Sequence, residues 1–194
     1  MLDWQSGAGT GLWDVHQRVY DAAHTLVHIH GPGAGTWSNS WNWLADHVID
    51  TNAPLSVNNP RGVLVEGIQG PLLLFAVASE HSSLYQFNFS QSSNIIHITA
   101  QTESPYWQVP PTAWAQTIEN SGGNHTMYGG GHYNWFNGPQ NAIFRLVNSA
   151  DVVNMYSLNT HGVNFLEVGD ISVAANTSSD QDWFCDTVMA QINA

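Results

Sequence analysis

Short runs of apolar, β-branched and aromatic residues alternate with clusters of Gly, Asn, Ser and Pro along almost the whole chain. Runs of this length, bounded by turn residues, predict strands. The pattern places them at Gly62–Glu66, Leu72–Ala78, Leu84–Phe89, Ile95–Thr99, Thr126–Tyr128, Ala142–Leu146, Val152–Tyr156 and Val163–Val168. Helical patterning is weak, because Gly, Asn, Ser and β-branched residues interrupt every stretch of Ala and Leu. Short helices are expected only over residues 14–26 (Asp14 to Leu26) and 183–192.

One turn signature recurs. Ser90-Gln91-Ser92-Ser93-Asn94 precedes Ile95-Ile96-His97-Ile98, Asn120-Ser121-Gly122-Gly123-Asn124 precedes His125-Thr126-Met127-Tyr128, and Asn148-Ser149-Ala150-Asp151 precedes Val152-Val153-Asn154-Met155-Tyr156. The anchors Asn94, Asn124 and Asp151 stand 30 and 27 residues apart. A serine-containing turn, an Asn or Asp and a short strand, repeated at that interval, suggest a solenoid whose coils bury side chains against their neighbours. The alternative is a β-sandwich, whose turns recur every 8–12 residues.

Composition narrows the function. The 194 residues fit one domain, 1–194, or one lobe of something larger, and 43% apolar residues suffice for a continuous core. Charged residues are only 9%, against ~25% in an ordinary domain. Net charge is −12, with no Lys and only Arg18, Arg61 and Arg145. Nucleic acid is excluded as a partner, since phosphate neutralisation needs many cations. An anionic membrane surface is excluded on the same ground, and no run reaches the ~18 apolar residues of a membrane span. A neutral polysaccharide remains. Nine Trp and six Tyr offer flat faces for sugar rings, although most aromatics serve cores.

Cys185 stands alone, so no internal disulfide forms. Met1-Leu2-Asp3-Trp4 shows no basic region before an apolar run, and no secretory signal is read there. Glycan sequons occur at Asn88, Asn124 and Asn176, a pattern that chance also produces.

Several segments, taken in order, resemble a known family. They are Gly9-Thr10-Gly11-Leu12-Trp13-Asp14-Val15-His16, Trp43-Leu44-Ala45-Asp46-His47-Val48-Ile49-Asp50, Arg61-Gly62-Val63-Leu64-Val65-Glu66, Ala78-Ser79-Glu80-His81 with Leu84-Tyr85-Gln86-Phe87, Gln101-Thr102-Glu103-Ser104-Pro105-Tyr106, and Tyr156-Ser157-Leu158-Asn159-Thr160. Together they resemble the C-terminal part of the fungal exo-β-1,3-glucanases of glycoside hydrolase family 55. The resemblance implies an all-β fold, a single-stranded right-handed parallel β-helix with few short helices. It implies an extracellular setting and inverting removal of glucose from β-1,3-glucan ends, in a cleft between two tandem β-helices. It also carries acidic cleft residues onto Glu80 and Glu103.

Elementary chemistry agrees with that placement. Glu80 and Glu103 are 23 residues apart, close to one coil, and residues one coil apart stack at ~4.8 Å. Two carboxylates that close resist joint ionisation, so one stays protonated and can donate to a glycosidic oxygen. By resemblance Glu103 is the general acid, and Glu80 tunes it or holds a sugar hydroxyl; two solvated turn glutamates are the plain alternative. Trp43, Tyr106, Trp107 and Trp135 are candidate sugar-stacking walls. Asp46, His47, His81 and Asp50 are candidate hydroxyl partners. For these residues a core or turn-bracing role competes. His24, His28 and His30 lie within seven residues, but no carboxylate or Cys motif accompanies them in sequence, so no metal site is expected, and no cofactor.

The sequence also departs from the family. The N-terminal β-helix, which helps position the attacking water, has no counterpart here. The stretch from His28 to Ser40 is short and Gly-rich, and Trp135 to Asn141 lacks a cysteine-bearing loop. An isolated coil end exposes strand edges, so either residues 1–30 cap it or the chain is a homo-oligomer. Three readings follow: a glucan hydrolase, a lectin-like carbohydrate-binding module, and a scaffold without a site.

Overall fold

The computed structural model describes residues 1–21, 23–105, 114–119, 123–133, 144–147, 152–161, 165–168, 171–174 and 188–193, with side chains through 1–21, 23–105, 116–119 and 123–133. Sixteen strands and no helix occur among these residues. One sheet runs β1 (Leu2–Gln5), β4 (Thr25–His30), β6 (Arg61–Glu66), β8 (Tyr85–Ser90), β10 (Trp114–Glu119), β12 (Phe144–Val147), β14 (Phe165–Val168), β15 (Ile171–Ala174). The second runs from β2 (Thr10–Trp13) through β5 (Gly35–Leu44), β7 (Leu72–Glu80), β9 (Ile95–Glu103), β11 (Asn124–Tyr133) and β13 (Val152–His161) to β16 (Val188–Asn193), with β3 (Gln17–Val19) also on β5. From β4 to β13 the chain alternates strictly between the sheets, and each strand pairs parallel with the next in its own sheet. Two later pairings, β14 with β15 and β13 with β16, are antiparallel.

The core lies between the sheets. In the first sheet Val27, Val63 and Phe87 are successive register partners, and in the second Trp37, Leu74, His97 and Met127 are. All seven are buried. Stacking like residues along the pairing direction lets each strand cover its neighbour's apolar face. Phe87 and Phe89 lie parallel, with ring centres 6.3 Å apart, and the His97 ring meets Phe87 edge-on at 4.8 Å. Burial pushes the His97 imidazole down to about 4, so it packs as a neutral aromatic.

β5, β7, β9 and β11 of the second sheet each carry a left-handed residue in mid-course, and Asp14 directly after β2 is another. Asp14, Asn39, Ala76 and Thr99 have φ of 55°, 52°, 52° and 53°, and Gly129 has 67°. They occupy one line across the sheet: the flanking pairs Trp13↔Ser38, Ser38↔Phe75, Phe75↔Ile98 and Ile98↔Tyr128 are in register. Asn39 Nδ2 donates to Asp14 Oδ1 along this line. The row splits each strand into two limbs, and the second limbs end at Leu44, Glu80, Glu103 and Tyr133.

Two sequence expectations fail. The described residues of 14–26 form no helix; they contain β3 and the start of β4, because left-handed Asp14 breaks the chain and Gln17–Val19 pairs with β5. In 183–192, residues 188 onward are strand β16, paired antiparallel with β13; the remainder lies outside the described residues. The repeat is nearly as read. Its register steps are Ile95↔His125 and Asn124↔Val152, which are 30 and 28 residues, so Asp151 falls one position before the anchor. Residues 1–30 continue both sheets as β1 to β4.

Candidate functional site

The second limbs of the second sheet align one outward row. Arg18, Trp43, Glu80, Glu103 and Tyr133 are successive register partners across β3, β5, β7, β9 and β11. Two residues earlier, on the same face, Trp41, Ala78, Gln101 and Gly131 form a second row. Between them Asn42, Ser79, Thr102 and His132 point inward and are buried. Gly131 leaves room for the Tyr133 ring, which would stand 3.0 Å from a Cβ there.

Glu80 sits under this surface at 4% exposure. Trp41 Nε1 donates to its Oε2 and Gln101 Nε2 to its Oε1, both at 2.7 Å. Burial raises its pKa; the Trp41 and Gln101 hydrogen bonds and the His81 charge oppose the rise, and the Glu103 charge adds to it. Glu103 is more open, its side chain 21% exposed. The same two carboxylates push the phenol of half-buried Tyr133 up, after burial itself.

His81 joins the acids. It follows β7 with φ of 68°, and its backbone N–H donates to the Glu103 carbonyl at 2.9 Å. Its Nδ1 lies 2.8 Å from Asp46 Oδ1 and its Nε2 3.3 Å from Glu103 Oε2. Burial lowers its pKa, but the hydrogen bonds and charges of Asp46 and Glu103 outweigh burial and lift it to about 9. It therefore stands as an imidazolium between two carboxylates. Trp43 Nε1 is 2.9 Å from the same Nδ1; with that nitrogen's proton aimed at Asp46, the stronger acceptor, this is a close approach of two donors. His47 Nδ1 is 2.9 Å from Asp46 Oδ1. One ligand-capable atom from each of Glu80, His81 and Glu103 lies within 4.8 Å of the others, and the same holds for Asp46, His47 and His81.

Several predicted roles change. Trp43 is 2% exposed; Trp41 stacks on it at 5.1 Å, and the Arg18 guanidinium lies 5.1 Å from its ring centre. It has no face left for a sugar and instead supports Trp41. Asp46 at 0% and His81 at 1% are likewise too buried to meet a hydroxyl, and act on Glu103 from behind. His47 remains partly open at the rim. Tyr106, Trp107 and Trp135 lie outside the described residues, as do Asn176 and Cys185. Among the sequons, Asn88 is 6% exposed and donates to Glu119 Oε2 at 3.3 Å, whereas Asn124 is exposed at the start of β11.

Sequence reasoning missed Trp41, Gln101, Tyr133 and Arg18. Trp41 and Gln101 precede Trp43 and Glu103 by two, the same-face spacing of a strand. Tyr133 follows Glu103 by 30, the interval that separates Asn94 from Asn124.

No protein-family model matches the chain. It is 30% identical over 146 residues to a glucan 1,3-beta-glucosidase of Cochliobolus carbonum, covering 62% of this chain and 18% of that protein. It is 26% identical over 161 residues to a probable glucan endo-1,3-beta-glucosidase of Arthroderma benhamiae, covering 66% and 18%. It is 43% identical over 94 residues to the non-secreted LysM effector LysM15 of Penicillium expansum, covering 47% and 7%. The chain is thus distantly similar to fungal proteins named for 1,3-β-glucan hydrolysis, and it spans less than a fifth of the curated relatives it matches. These relatives fix no compartment, since one of them is named non-secreted. Among the described residues no helix is long and apolar enough to cross a membrane.

Proposed function

We propose that the chain is a right-handed parallel β-helix of the family 55 type that acts on β-1,3-glucan as part of an inverting exo-glucanase, with Glu103 as general acid. The alternation of strands between two parallel sheets supports the solenoid.

The observation that carries the chemistry is the register pairing of Glu80 with Glu103. Their carboxyl oxygens approach within 4.8 Å, and neighbouring carboxylates disfavour double ionisation. Glu103 is the more exposed member of the pair, and so the one a glycosidic oxygen can reach. Inverting enzymes place acid and base carboxyls about 6.5–9.5 Å apart to admit water. Glu80 is too close to Glu103 to be that base. It is the acid's buried neighbour, and the base is supplied from elsewhere on the sugar's other face.

That same spacing supports a second reading, a carbohydrate-binding surface without turnover. Incubation of laminarin with the complete protein that carries this chain separates the two. The hydrolase reading expects α-glucose as the first-released anomer, lost in Glu103→Gln. Binding of laminarin without glucose release supports the module, and neither binding nor release refutes both.

A further inference from the structure

A different face carries a second constellation. On the outward side of the first sheet, Asp3 of β1 is the register partner of His28 of β4, and His30 of β4 is the register partner of Glu66 of β6. His28 and His30 are two apart on one strand, so both rings stand on the same face, with centres 4.9 Å apart. Asp3 Oδ1 lies 3.0 Å from His30 Nε2 and 3.6 Å from His28 Nδ1. Donor atoms around a four-coordinate zinc at ~2.0–2.1 Å stand roughly 3.3 Å from one another; Asp3 Oδ1 is near that spacing from both rings, and the ligand atoms of the three residues lie within 4.8 Å of one another. The other nitrogen of His28 points away from Asp3, and Nε2 is 3.1 Å from Glu66 Oε2. A carboxylate on the far nitrogen fixes the tautomer of a metal-bound histidine and raises its basicity.

We propose that Asp3, His28 and His30 form a site for a divalent transition-metal ion, with Glu66 orienting His28. Two imidazoles and one carboxylate suit zinc, copper(II) or nickel, and suit magnesium or calcium poorly. The side chains are 26–56% exposed, which leaves coordination positions open to water or a ligand. The ion joins β1, which stands at the end of the first sheet's strand order, to β4. It therefore clips that strand down, and binding stabilises the fold by mass action.

Calorimetric titration of the whole chain with zinc chloride tests this. One ion per chain is expected, with affinity reduced at least tenfold in His30→Ala and about tenfold in Glu66→Gln, as far-nitrogen partners typically give. Zinc should raise the thermal midpoint of the parent and leave that of His30→Ala unchanged; far-UV circular dichroism of both variants checks that they fold. No zinc uptake by the parent overturns the proposal. So does undiminished affinity in a folded His30→Ala, or affinity lost only in His47→Ala.

Discussion

Glu80 and Glu103 are register partners in adjacent parallel strands, and the His81 imidazolium reaches from buried Asp46 to the Glu103 carboxylate. Asp46 and His81 are buried behind Glu103, whose side chain is 21% exposed. Such one-sided support holds a reacting carboxyl in position while leaving it accessible.

Substitution separates the two acids. Glu103→Gln removes the proton donor and is expected to lower glucose release from laminarin by about 10²–10⁴-fold, the usual contribution of general acid catalysis. Glu80→Gln leaves the donor in place and is expected to cost less in rate while moving the pH profile. Initial rates across pH for both variants make the comparison.

Removing His81 should cost stability more than contact area suggests. His81→Ala leaves Asp46 fully buried beside a missing cation, and breaking a buried ion pair costs about 3–5 kcal/mol. Restoring neutrality with Asp46→Asn in the His81→Ala background should recover part of that loss. Urea unfolding of the single and double variants measures it.

Stability should fall on both sides of neutrality. His97 and His132 are depressed by burial to about 4 and about 3. Below the ordinary value of 6.5 the unfolded chain takes up protons that the folded chain refuses, so stability drops as pH falls from 6.5 toward 4. His81 runs the other way. Its folded value of about 9 lies above 6.5, so its contribution is full below pH 6.5 and is lost as pH rises through 9. Thermal midpoints between pH 4 and 10 should trace a dome, and His97→Gln should flatten its acid limb.

Packing and glycosylation give two simpler checks. Phe87 is fully buried in the core stack, so Phe87→Ala should destabilise by about 3–5 kcal/mol in denaturant unfolding. Asn88 is hydrogen-bonded to Glu119 and covered. On expression in a glycosylating host, peptide mapping should find no glycan there.

The sequence located β6 to β9 and β11 to β14, read several of them too short, and missed β1 to β5, β10, β15 and β16. Strands β7, β9 and β11 were expected to end at Ala78, Thr99 and Tyr128, but run on to Glu80, Glu103 and Tyr133. The stopping points fall at or near the left-handed row of Ala76, Thr99 and Gly129. Local turn signals were real, yet parallel neighbours on both sides restore the ladder beyond them. Glu80, Gln101, Glu103 and Tyr133 lie on those second limbs, and His81 directly follows one. Glu80 and Glu103 were legible through the family resemblance of their segments, and their 23-residue spacing agreed with it. The burial of Trp43 and Asp46 was not, because it depends on Arg18 of β3 and on residues after β5, which no periodicity announces. The cluster at His28 and His30 looked incomplete for a similar reason: its acids, Asp3 and Glu66, arrive from other strands.

Carboxyl-carbon NMR titration of Glu80, in the parent and in Glu103→Gln, addresses the acid pair itself. The account predicts a Glu80 midpoint above the free-glutamate value of 4.5 that moves down when Glu103 is neutralised. An ordinary midpoint, unmoved by Glu103→Gln, contradicts it.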